Sequence, residues 1–206
     1  MRTTKTARYS GIAAIALAAV VSMVPGSGGT PAAPARLTSD PAPASQTITG
    51  EIAAARLATA KYATSLAAAK ADGYEIITKM IPDMGYHFLN PHIQGFNIAR
   101  PPILVYEHQG TQWQLGALEW VFTTYPQNPP LPDATFGFFP AACHYVDGTF
   151  VPDNNAKTCP KRAPGTGAAV NFWHPNLYTM HVWVWYPNPD GLYASMNPLV
   201  APFNGG

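Results

Sequence analysis

The chain has 206 residues and a formal net charge of +1; only 11% of its residues are charged, beside 12% aromatics and 22 prolines. From residue 48 onward 8 Lys and Arg stand against 10 Asp and Glu, which leaves no basic face to neutralise phosphates and excludes nucleic-acid binding. So few charges among so many aromatics and prolines describe a loop-rich, aromatic-packed chain rather than a helical one.

The N-terminus reads as an export signal. Arg2, Lys5 and Arg8 precede an uncharged apolar run over residues 11–24, which Pro25-Gly26-Ser27-Gly28-Gly29 ends. That order of cationic, apolar and small residues predicts a cleaved signal peptide over 1–30. Fourteen apolar residues reach about 21 Å, short of the roughly 30 Å hydrocarbon core, so no stable membrane span is expected after cleavage. Lipid attachment needs a cysteine just after the apolar run, and the only cysteines are Cys143 and Cys159. Residues 31–48 are rich in Pro, Ala, Ser and Thr and predict a disordered linker. A single globular domain over 49–206 follows, in a protein secreted or otherwise held outside the cytoplasm.

Thr49 is the expected cap of a helix from about Gly50 to Asp72, with Gly73 as its left-handed stop. Tyr62, Leu66, Ala69 and Gly73 recur at helical spacing and predict one narrow stripe laid on a sheet. Strands are then expected over 74–79, 86–89, 103–108, 113–122, 170–173 and 178–186, where short apolar and β-branched runs lie between Pro, Gly and Asn. Gln109-Gly110-Thr111-Gln112 is of hairpin length. An even loop there puts Tyr106, His108, Leu115 and Glu119 on one face, with Glu107, Gln114 and Leu118 on the other; an odd loop reverses the grouping. A long irregular excursion is expected from Thr123 to Thr166. With no helix-length pattern after residue 73 there are no parallel crossovers. The fold class is therefore α+β: one N-terminal helix on a mainly antiparallel, curved sheet or small open β-barrel with long Pro/Gly-rich loops.

In an oxidising compartment Cys143 and Cys159, 16 apart across turn-forming residues, predict a disulfide worth about 3 kcal/mol. Pairing removes both as nucleophiles, and Ser65 and Ser195, the only serines after residue 50, lack the surroundings of a nucleophile elbow. Histidine carries the remaining signal, since all six lie between residues 87 and 181. His87 and His181 stand in otherwise apolar or aromatic strands, and Glu119 stands mid-strand in Gly-Ala-Leu-Glu-Trp-Val-Phe. Three polar groups that are costly to bury point to one shared site. It would hold one transition-metal ion (Cu, Zn, Fe or Mn), with His174 and Glu107 as further ligands; Met84 and Met180 would favour copper if their sulfurs faced it. The alternative is a hydrogen-bonded core trio without metal.

Two other functions compete. Tyr86, Tyr106, Trp183 and Trp185 would line the pocket of a non-enzymatic domain that binds a small molecule or a cell-wall component. Glu107 and Glu119 would be the acid and base of a carboxylate-dependent hydrolase, provided that they share a face.

The ordered strings Met84-Gly85-Tyr86-His87, Leu104-Val105-Tyr106-Glu107, Leu118-Glu119-Trp120-Val121 and His181-Val182-Trp183-Val184-Trp185, followed by Asn188-Pro189-Asp190-Gly191 and Asn197-Pro198, add a kinship. Over about 60–198 the chain resembles a family of uncharacterised exported bacterial proteins in which an alanine-rich helix ending in Asp-Gly-Tyr precedes these motifs. The resemblance implies kinship and no activity. The segment between Cys143 and Cys159 is an elaboration on it.

Overall fold

A computed structural model describes residues 43–205. The signal peptide expected over 1–30, and the expected linker as far as residue 42, lie outside the described residues. The helix begins at Pro43, upstream of Thr49, so Thr49 is an interior helical residue instead of the cap and the linker's last residues are helical. It is also not continuous. Helix α1 (Pro43–Thr59) runs into a 3-10 turn (Ala60–Tyr62), and a second helix, α2 (Leu66–Ala71), starts afresh behind Ser65, whose hydroxyl accepts from the Ala68 amide at 3.2 Å.

The sheet takes over the carbonyls freed at this break. Tyr62 O accepts from the Tyr106 hydroxyl at 2.8 Å, and Ala63 O accepts from the Leu115 amide at 2.8 Å. A Ser at the new N-cap and carbonyls satisfied from outside make the interruption inexpensive. Gly73, at φ +94°, ends α2 as expected.

Among the described residues nine strands follow: β1 (Glu75–Ile81), β2 (Gly85–Leu89), β3 (Ile103–Gln109), β4 (Gln112–Phe122), β5 (Gly137–Phe139), β6 (Ala142–Tyr145), β7 (Phe150–Pro152), β8 (Val170–His174) and β9 (Leu177–Val182). Six form a curled antiparallel half-barrel in the order β1-β2-β3-β4-β9-β5, and β7-β6-β8 form a second, smaller sheet. The α+β architecture with a curved sheet is thus as expected. The stretch from Thr123 to Thr166 is less irregular than expected, since it supplies β5, β6 and β7. The last long strand is shorter, because beyond Val182 the chain leaves the sheet and the Trp185 and Tyr186 amides both donate to Gly116 O.

Gly116 also decides which side chains share a face. The β3–β4 register pairs Tyr106 with Leu115 but Val105 with Ala117, so β4 carries one extra residue there. A bulge of one residue reverses the alternation beyond it. Tyr106, His108 and Leu115 therefore share a face with Leu118, while Glu119 turns to the face of Val105 and Glu107. Neither parity of the loop alone produces that grouping.

The two faces have different neighbours. Phe88, Leu104, Tyr106, Leu118, Trp120 and Met180 pack against Ala55, Tyr62, Leu66 and Ala69 of the helical segment. The opposite, concave face is roofed by the small sheet, which is joined to β1 where the Lys79 amide donates to Gly148 O at 2.8 Å. Gly148, at φ +80°, sits so close that a Cβ would lie 2.9 Å from Ile76. The far side of the small sheet is closed by the Cys143–Cys159 disulfide, packed with Tyr145 and Ala163.

Candidate metal centre

His87 lies on β2, Glu119 on β4 and His181 on β9, with Glu119 directly opposite His181 in the ladder. Two strands separate β2 from β9, which in a flat sheet would hold them about 14 Å apart. The curl of the half-barrel, helped by irregular register between β1 and β2 and the bulge at Gly116, brings their concave-face side chains together.

The three residues are buried, and their ligand atoms all lie within 4.8 Å of one another. His87 Nε2 is 3.4 Å from His181 Nε2 and 3.5 Å from Glu119 Oε2, and His181 Nε2 is 3.7 Å from Glu119 Oε1. These gaps are too long for good N–H···O bonds, which run about 2.7–3.2 Å. The 3.4 Å between the two imidazole nitrogens matches the edge of a coordination tetrahedron, since ligands at about 2.1 Å from a central ion stand about 3.4 Å apart, and each imidazole faces a different Glu119 oxygen, so that the carboxylate offers both.

Surrounding groups orient two of the three. Thr78 Oγ1 meets His87 Nδ1 at 2.8 Å, which aims Nε2 at the centre, and the Thr179 hydroxyl donates to Glu119. His181 Nδ1 is buried without a partner. Burial, with no cation nearby, pushes the Glu119 carboxyl up to about 8 and the His181 imidazole down to about 4. Burial, and next the neighbouring His181, hold His87 well below its ordinary value. A divalent ion would reverse the carboxyl shift, because it compensates the charge that burial penalises. Two imidazoles and one carboxylate are a donor set suited to zinc or to non-haem iron, with coordination positions left open.

His87, Glu119 and His181 line a cavity of about 540 Å³ between the half-barrel and the small sheet. Its walls are mainly apolar, with Leu89, Ile103, Phe139, Phe150 and Phe172 among them, and Phe138 and Met196, 59% and 48% exposed, stand where it opens to solvent. Met84 lines it as well. Met180 does not, since it is paired with Trp120 and points into the helix-side core, so only one of the two methionines considered for copper faces the site.

The other expected site residues are dispersed. His174 lines the cavity but belongs to a second histidine cluster, beside His144. Glu107 shares the face of Glu119, yet it lies four residues along β3 from Ile103, the ladder partner of Glu119. Four residues are about 13 Å, beyond the roughly 5–9.5 Å that separates the carboxyls of a glycosidase. Neither Glu107 oxygen has a hydrogen-bond partner, and burial pushes that carboxyl up to about 8.

None of the four aromatics expected to line a pocket reaches this one. Tyr86 packs edge-on to Trp113, and Tyr106 donates to Tyr62 O. The Trp183 indole donates to Ala194 O at 2.7 Å, and the Trp185 indole donates to Thr59 Oγ1 at 3.0 Å. The aromatic lining comes instead from Phe138, Phe139, Phe150 and Phe172, three of them in the stretch without strand-length patterns. Thr78, Thr179 and His144 are the polar lining residues that the sequence does not single out; the signal of His144, an imidazole beside a disulfide cysteine, says nothing of the direction it faces.

No family model matches this chain, and no curated protein or solved structure matches it either. Among the described residues no helix is long and apolar enough to cross a membrane.

Proposed function

We propose that this is an exported metal-binding protein that holds one transition-metal ion, zinc, iron, manganese or copper, between His87, Glu119 and His181, and docks a small, mainly apolar molecule in the cavity beside it. The observation that supports this reading is the convergence of three buried residues whose ligand atoms lie within 4.8 Å of one another, the imidazole nitrogens 3.4 Å apart and each 3.5–3.7 Å from a different Glu119 oxygen, too wide for good hydrogen bonds and suited to an ion at the centre. Export is supported by the signal-like N-terminus and by the disulfide, which is kept in oxidising compartments. Three protein ligands leave coordination positions for water or for the docked molecule. When bound, the ion would supply Lewis acidity or redox chemistry. The protein's own residues exclude water from the cavity walls, orient the ligand atoms and keep Glu119 beside the site.

The test is direct. The full chain, exported into an oxidising compartment and purified, is expected to carry one ion per molecule, which His87→Ala or His181→Ala removes. At 100 times the dissociation constant the ion should add about 2.7 kcal/mol, read as a rise in melting temperature. A well-folded, metal-free protein that gains no thermal stability from added zinc, iron, manganese or copper would overturn the proposal and leave a metal-free ligand-binding domain.

A further inference from the structure

The cavity holds a second pair of histidines that the metal reading does not use. His144 on β6 stands opposite Phe172 on β8, and His174 stands opposite Ala142. The His144 and His174 rings therefore sit diagonally across the small sheet, 5.0 Å between centroids, and both line the cavity. Aromatic neighbours fix their planes: Phe172 stacks on His144 at 4.7 Å with an interplanar angle of 4°, and Phe139 lies 4.9 Å from His174.

Backbone carbonyls set the tautomer of both. His144 Nδ1 meets Ile77 O at 2.7 Å and His174 Nδ1 meets Pro175 O at 2.6 Å. A carbonyl only accepts, so each Nδ1 carries the proton and each Nε2 keeps its lone pair. Both Nε2 atoms are buried without a partner, in residues 1% and 7% exposed. Two acceptors cannot satisfy one another.

We propose that His144 and His174 form a hydrogen-bond-accepting pole of the cavity that selects uncharged, mainly apolar ligands carrying a hydroxyl or N–H donor. Burial holds His144 down at about 4 and lowers His174, so at neutral pH both stay neutral acceptors and offer nothing to a carboxylate or a phosphate. A metal dication is a poor occupant, because the pair offers it only two donor atoms in an apolar surround. The selection needs no ion at His87, Glu119 and His181, and stands or falls separately from the metal reading.

The experiment uses the chelator-treated full chain and two probes of nearly equal shape, 1-naphthol and 1-methoxynaphthalene, titrated at pH 7. The naphthol O–H can donate to an Nε2; the ether cannot. One such bond to a buried acceptor predicts that naphthol binds about tenfold more tightly. In the H144N/H174N double variant each amide takes the place of Nδ1 and still donates to the carbonyl, while both Nε2 acceptors are gone, and the preference should fall to about twofold or less. In H87A it should persist. Histidine-selective ¹⁵N spectra of the wild-type protein give a readout that needs no variant: naphthol, and not its ether, should shift the Nε2 resonance of a neutral histidine. Equal affinity for the two probes, no binding of either, a preference that survives the H144N/H174N double variant, unmoved Nε2 resonances, or a metal ion found on this pair would each overturn the proposal.

Discussion

The two faces of the half-barrel are made by the same strands, and adjacent residues on those strands have opposite fates. Phe88, Trp120 and Met180 look toward the helices and fill a core; His87, Glu119 and His181, one position away on each strand, look into the cavity. On the helix side polar tips end on protein partners: Tyr106 donates to Tyr62 O, Tyr74 to Pro101 O and Trp185 to Thr59. Among the described residues three cavity histidines, His144, His174 and His181, keep a buried ring nitrogen without a partner, against only Trp120 Nε1 in the helix-side core. A protein surrenders stability wherever buried polar atoms stay unsatisfied. The helix-side face is thus the source of stability, and the cavity face spends some of it on groups poised for a ligand.

The sharpest way to break this division is to damage the stabilising face alone. Trp120 is 1% exposed, and Trp120→Ala should cost about 3–5 kcal/mol in denaturant unfolding, a large fraction of a typical domain's stability. The surviving folded protein should still take up metal, because no atom of Trp120 lies among the ligands. Loss of metal uptake in a folded Trp120→Ala protein would mean that the faces are not separable.

Next in size is the roof of the cavity. The 16-residue separation of Cys143 and Cys159 implies about 3 kcal/mol of stabilisation in the chain-entropy model. The double variant Cys143→Ser/Cys159→Ser should lose about that much, and amide exchange should quicken first in β6, β7 and β8. Uniform quickening across both sheets would show that the roof and the half-barrel unfold as one unit.

Much of this division can be read from single residues of the sequence, and its failures have local causes. His87, Glu119 and His181 stand out because an apolar strand tolerates a polar side chain only where something meets it. Their convergence is not legible, since it depends on a curl that brings β2 to β9. The grouping of Glu119 turns on one glycine: the bulge at Gly116 reverses the alternation, and the lone Gly within a strand pattern is its only mark. The small sheet is not legible because β6 and β7 have four and three residues, too few to show a period. Two of the aromatics stand away from the cavity for a related reason. Trp183 and Trp185 lie beyond the end of β9, where strand alternation no longer governs direction.

The smallest effect tests the cost of the cavity face itself, in the metal-free protein. Glu119 has its folded value raised from 4.5 to about 8, so above pH 4.5 unfolding releases a proton and stability falls as pH rises, until about pH 8. His181 is lowered from 6.5 to about 4, so between those values unfolding takes up a proton and stability rises with pH. The two oppose each other between pH 4.5 and 6.5. From pH 6.5 to 8 the histidine contribution is spent and the carboxyls remain, Glu119 and, in the same direction, Glu107. At about 1.4 kcal/mol per pH unit, Glu119 alone accounts for a loss of about 2 kcal/mol over that window. Glu119→Gln should remove this share, and urea unfolding at pH 6.5 and pH 8 measures it. In the metal-loaded wild type the same loss should vanish, because the ion keeps Glu119 ionised in the folded state. A pH dependence that Glu119→Gln leaves unchanged would place the uncompensated carboxyl at Glu107 and strip the cavity face of its principal cost.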